Sequence, residues 1–266
     1  TGEDTLSLHD ALPILPADAI NARIAETFVP VAAPVKRTAA ELAEVLRKHV
    51  FAAWPADDLP LDPKQTVLAE HDGLRLSTWD FASQPGVGLK LYLVENNNAN
   101  HAVRLQVLDA NTDAGWLRDL RAGFGVPLAD EPVGIPVVTD EISPLPALKS
   151  RIVSSNEALA WLAPRGIGRD AWSGDEKTQT RIRRRFMLLG QTVDGMRVWD
   201  IRRAVRMLQH ARGGDAVKVD VAASGSMAVN ALYASLFEPG VRHLDLSDVG
   251  QIADFVLAHA AQRLPQ

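Results

Sequence analysis

The chain has 266 residues, 47% apolar and 23% charged, with a formal net charge of -5 and no cysteine. That length is enough to bury one full core. The missing cysteines exclude disulfides, thiolate metal sites and a cysteine nucleophile, and the acidic balance argues against a general nucleic-acid binder. No apolar run approaches the roughly 20 residues a helix needs to cross a bilayer, so no membrane partner is expected.

The chain opens on Thr1, with no basic-then-apolar signal pattern. The stretch TLSLHDALPI, residues 5–14, resembles one reading frame of a common sequencing adapter translated into protein. Residues 1–14 are therefore expected to be a read-through scar on a fragment, with any export signal upstream. Residues 15–60 read as a linker and one amphipathic helix. Prolines are scattered through 15–37, and TAAELAEVLRKHVFAAW then starts with Thr38 as N-cap and Glu41 three residues on. Leu42, Val45, Leu46 and Val50 form its apolar stripe, and Trp54-Pro55 stops it. ADDLPLDPK follows as a turn-rich connection.

Residues 61–266 are expected to form one α/β domain. GLRLSTWDF (73–81) and VGLKLYLVE (87–95) flank the turn Gln84-Pro85-Gly86 and predict an antiparallel pair. AVRLQVLD (102–109) predicts a third strand and AGWLRDLRAGF a short helix. Residues 132–150 read as loop with a single helical turn. From EALAWLAP onward, strands alternate with helices. Helical periodicity covers 177–211, interrupted near Gly190 and Gly195. Strand 216–223, helix 227–237, strand 241–248 and helix 249–264 complete the pattern. Such alternation implies crossovers and a parallel sheet. The expected fold class is α/β, α/β-hydrolase-like: a mostly parallel sheet flanked by helices, with antiparallel N-terminal strands and a truncated C-terminus.

One stretch carries chemistry. VKVDVAASGSMAVNALYASLF (217–237) reads as strand, tight turn of small residues, then helix, which is the layout of a nucleophile elbow. The G-x-S-x-G form appears as Ala222-Ala223-Ser224-Gly225-Ser226, without the outer glycines. Ser224 is the candidate catalytic nucleophile. The amide of Gly225, at the positive end of the helix, is the candidate oxyanion donor. The competing reading makes Ser224 a helix N-cap. A base is harder to find, because His243 falls within a strand and His259 within the last helix, while Asp245 and Asp248 are candidate acids. The loop after the third strand, VLDANTDAGW, has no glycine-rich anion nest.

Arg181, Arg183, Arg184 and Arg185, continued by Arg197, Arg202, Arg203 and Arg206, read as a solvated helix face with ion pairs rather than a phosphate or nucleic-acid site. APRGIG reads as a sharp strand-end turn. The histidines have no metal-site spacing, and no cofactor is expected.

The stretches LPADAINARIAETFVP, FASQPGVGLKLYLVE, LAWLAPRGIG, RRRFMLLGQTVDGMRVWDIRRAVRML and VAASGSMAVNALYASLFEP resemble α/β-hydrolases of the acetyl xylan esterase and cephalosporin-C deacetylase type. They are most similar to the second hydrolase-like module of large planctomycete-like homologues. The resemblance implies a serine carboxylesterase acting on acetylated polysaccharide or a small ester, with the serine position on Ser224 and the oxyanion amide on Gly225. It equally admits a pseudoenzyme: a catalytically inactive accessory module supporting an upstream esterase domain of the parent chain. It also implies structural roles for Gly195, Arg197, Trp199 and Asp200.

Overall fold

The computed structural model describes residues 37–96, 102–109, 115–125, 145–172 and 174–249. The stretch expected to be an adapter scar (1–14), nearly all of the expected linker, residues 126–144 and, apart from Val249, the helix expected over 249–264 lie outside them. Contacts divide the chain into two units, 1–38 and 39–266, and the architecture below is that of the second.

Its strands are β1 (Lys64–His71), β2 (Leu74–Gln84), β3 (Val87–Asn96), β4 (Ala102–Val107), β5 (Glu157–Leu162), β6 (Lys218–Ser224) and β7 (Val241–Ser247). They form one sheet in the order β1-β2-β3-β5-β4-β6-β7. β2 pairs antiparallel with β1 and β3, and β3 pairs antiparallel with β5. From β5 across β4 and β6 to β7 every pairing is parallel. The antiparallel start and the parallel remainder are as the strand patterns predicted.

Each parallel connection needs a crossover, and helices supply them. α1 (Ala39–His49) precedes the sheet. α2 (Gly115–Phe124) and α3 (Leu145–Ser155) lie between β4 and β5. α4 (Glu176–Leu188) and α5 (Val193–Ala211) lie between β5 and β6, and α6 (Gly225–Ser235) lies between β6 and β7. The helices cover two faces. Leu46, Trp199, Val205 and Met227 pack with Leu105, Leu162 and Val221 on one. Leu120, Phe124 and Ile152 pack with Leu76, Tyr92 and Leu159 on the other. The central strands are apolar on both faces, as a covered parallel sheet requires.

Four local differences have physical causes. β1 was not predicted, because KQTVLAEH is exposed along most of its length and shows no alternation. It is an edge strand with a register shift between Val67 and Ala69, a common way to blunt an edge. α1 ends at His49 rather than Trp54, leaving Val50 42% exposed while Phe51 turns into the core. Phe51 stacks on Trp54 at 4.1 Å, and the Trp54 indole donates to the Gly195 carbonyl. α3 runs 11 residues instead of one turn. The long helical pattern breaks at Gly190, which has φ +70, but Gly195 sits inside the first turn of α5. There its amide donates to the Thr192 hydroxyl, the N-cap.

Candidate functional site

The parallel register of β4 and β6 sets Gln106 beside Ala222. Continued to the strand ends, it brings Asp109, just past β4, to Ser224, the last residue of β6. The Ser224 hydroxyl donates to Asp109 Oδ2 at 3.2 Å. Ser224 occupies the N-cap position of α6, yet its side chain makes no cap hydrogen bond. Its backbone is extended, φ -128 and ψ 161.

Gly225 is the left-handed residue of this turn, with φ +54. A side chain at 225 would start 3.4 Å from Asp109 Oδ2, so the turn has room for one and faces it toward the same carboxylate. In a nucleophile elbow the strained residue presents the reactive hydroxyl. Here the left-handed residue is a glycine, which takes that conformation freely, and the hydroxyl belongs to its extended neighbour Ser224.

Among the described residues, the candidate base His243 lies away from Ser224. His243 pairs with Asp220, four residues before Ser224 along β6, roughly 13 Å away at strand rise. Asp245 pairs with Arg104, whereas Asp248, with φ +52, directly follows Ser247, the register partner of Ser224. His49, His71 and His210 are exposed on other elements. His259 and His101 fall outside the described residues, as do residues 110–114 of the loop after β4.

A cavity of about 1020 Å³ opens at this strand edge. Leu108 and Asp109 border it on one side, and the hairpin turn from Gln84 to Gly88 on another. Trp116 and Trp161, stacked at 5.9 Å, form part of its wall, with Tyr92 edge-on to Trp116 at 5.3 Å.

The turn Arg165–Gly168 after β5 supplies a further wall and is the sharp bend that APRGIG predicted. Gly166 has φ +71, and a Cβ there would lie 2.8 Å from the Trp172 ring. Behind the turn, Asp200 of α5 is fully buried and accepts from Arg165 Nε at 2.8 Å, Arg165 Nη2 at 2.6 Å and the Arg165 amide at 3.0 Å. Ser83 Oγ donates to the same carboxylate at 2.6 Å, and the Trp199 indole donates to the Ser83 carbonyl. Arg197 Nε donates to the Arg165 carbonyl. This network pins the β5 turn and the end of β2 to one helix, and so fixes two sides of the cavity. The buried pair Arg165–Asp200 escaped the sequence reading, because its members stand 35 residues apart.

The arginine cluster divides. Arg202 and Arg206 reach Glu238 and Asp57, and Arg203 donates to the carbonyls of Leu59, Pro60 and Ala82. Among the described residues, Arg181, Arg183, Arg184 and Arg185 have no ion pair or hydrogen bond of their side chains, contrary to the paired face expected of them.

Sheet order, helix placement and the strand-to-helix turn together define an α/β-hydrolase fold. An acetyl xylan esterase structure from Bacteroides fragilis matches with TM-score 0.58 and 13% identity, covering 90% of this chain and 62% of that one. Acetyl xylan esterase 1 from Thermoanaerobacterium sp. gives 0.49 and 12%, covering 85% and 64%. A glucuronoyl esterase from Solibacter usitatus gives 0.47 and 14%, covering 90% and 61%. The chain thus spans just over three fifths of the length of each. At these identities the likeness establishes fold, and the first match carries it. No protein-family model matches the chain, and no curated protein does.

Proposed function

We propose that this chain is a non-hydrolysing module of the esterase fold, an accessory that holds ester-bearing polysaccharide for an esterase domain upstream in its parent. The observation that supports this is the phase of the turn. The left-handed residue of the turn is Gly225, which has no nucleophile, and among the described residues the Ser224 hydroxyl faces a carboxylate and no imidazole. The aromatic walls of the neighbouring cavity suit the flat faces of a sugar ring, and its carboxylates suit hydroxyl donors.

One observation favours a second reading. At 3.2 Å, Asp109 is within reach of the Ser224 proton. In that reading Ser224 attacks the ester carbonyl as its proton passes to Asp109. The Gly225 amide then stabilises the oxyanion, the alcohol leaves with a proton, and water cleaves the acyl-serine.

Turnover of p-nitrophenyl acetate by the full chain, by Ser224→Ala and by Asp109→Asn separates the two. The accessory reading expects three equal rates at the buffer background. Wild-type turnover lost in both variants would overturn it and establish the hydrolase.

A further inference from the structure

The structure assigns the tip of α4 to the surface of an anionic lipid bilayer, as a peripheral docking point independent of the strand-edge site. α4 has no buried residue along its 13 positions. Its inner side is only half-buried, with Phe186 meeting Trp172 at 5.6 Å and Gln179 donating to the Trp172 carbonyl. Its outer side carries Lys177, Arg181, Arg184 and Leu188 at spacings of four, three and four, which makes one stripe. Arg183 and Arg185 flank that stripe, and all five cations are exposed.

The helix ends on the three most exposed large apolar side chains among the described residues: Met187 at 64%, Leu188 at 86% and Leu189 at 72%. Gly190, with φ +70, then turns the chain back toward α5. The result is an apolar tip with a collar of guanidinium groups within two helical turns of it.

Two features choose the occupant. The first is charge. The helix holds five cations and a single carboxylate, Glu176, in a chain whose net charge is -5. Among the described residues the α4 arginines have no partner, so there they meet an anionic surface without breaking internal bonds. Guanidinium forks match phosphate and carboxylate headgroups in two-point hydrogen bonds. The second is shape. Side chains this exposed protrude, and a rigid protein partner would need a pocket cut to receive them. A bilayer interface accepts protruding leucines without one, and the gain grows with each buried methylene. No helix of the described residues is long and apolar enough to cross a membrane, so the mode is attachment at the surface.

Co-sedimentation of the full chain with vesicles tests this. One set is phosphatidylcholine alone, and the other contains about one third phosphatidylserine. Wild type is expected to pellet with the anionic vesicles only and to be released as salt approaches about 0.5 M. Arg181→Gln with Arg184→Gln should weaken binding about twenty-five-fold, near fivefold per cation. Leu188→Asp with Leu189→Asp should abolish it. Both pairs should keep the wild-type Tm, since neither replaces a buried group. Failure of wild type to bind anionic vesicles, equal binding to neutral ones, or binding that survives both variants would each overturn the assignment. So would a concentration-dependent dimer in light scattering that the Leu188/Leu189 variant loses, which would give the tip to a second copy of the chain.

Discussion

α4 and α5 are consecutive helices built with the same abundant residue, arginine, and they place it in opposite environments. In α5, 13 of 19 residues are buried, Arg202 and Arg203 among them. In α4 none is. Composition does not separate them; partners do. Arg202 lies within 4.7, 5.0 and 5.3 Å of the rings of Trp54, Trp199 and Phe237 and is paired with buried Glu238. Among the described residues its Nη1 has no hydrogen-bond partner, and the ring faces partly compensate the charge. Arg203 is satisfied by backbone carbonyls of the connection before β1 and of β2. Among the described residues no carboxylate, carbonyl or ring is set opposite the guanidinium groups of Arg181, Arg183, Arg184 and Arg185, so desolvating them would go uncompensated and they stay in water.

The sharpest way to break this comparison is to remove a partner from the buried side. Asp200→Ala would leave the Arg165 guanidinium, 7% exposed, without its carboxylate. Stranding a buried charge costs about 3–5 kcal/mol, a large share of a domain's stability. Chemical denaturation should show that loss. Asp194→Ala, which removes an exposed partner of Arg197, should cost under about 0.5 kcal/mol. Near-equal midpoints for the two variants would mean that burial of the network contributes nothing.

A smaller effect is expected at the start of α5. Thr192→Ala removes the hydroxyl that accepts from the Gly195 amide, and caps of this type are worth about 1 kcal/mol. The same turn has no space for a methyl at 195, where a Cβ would lie 2.8 Å from the Thr192 hydroxyl oxygen. Urea midpoints for Thr192→Ala and Thr192→Ser should separate cap from packing, with serine retaining most of the stability.

The sheet was legible because apolar alternation and helix periodicity report burial directly, and burial builds most of this fold. β1 was illegible for the same reason: its pairing rests on backbone bonds to β2, which leave no mark on side-chain pattern. At the site, the strand-turn-helix run around Ser224 was readable from small residues in sequence. Asp109 was not, since its contact with Ser224 spans 115 positions and exists only because β4 and β6 are neighbours. The usable signal was its place at the end of a parallel strand, where ligands and reactive groups of open α/β sheets gather. That the left-handed backbone falls on Gly225 and not Ser224 was equally out of reach, because both residues suit a tight turn and only φ separates them.

The smallest expected effect sharpens the comparison most, because it asks whether α4 stands alone. Asp175 caps α4 by accepting from the Thr178 amide at 2.9 Å, and that bond holds its carboxyl below the ordinary 3.8. A depressed folded value means that the cap's contribution is present above about pH 4 and fades as pH falls through the lower folded value. Asp175→Ala should therefore speed amide exchange in α4 at neutral pH, leave α5 protection and the Tm unchanged, and converge with wild type only once pH has fallen below the lowered folded value. An exposed helix without buried side chains opens locally, below the free energy of global unfolding. If α4 and α5 amides instead lose protection together, the two helices form one cooperative unit. Exposure would then be no guide to independence in this fold, and α4 would be part of the framework that α5 anchors.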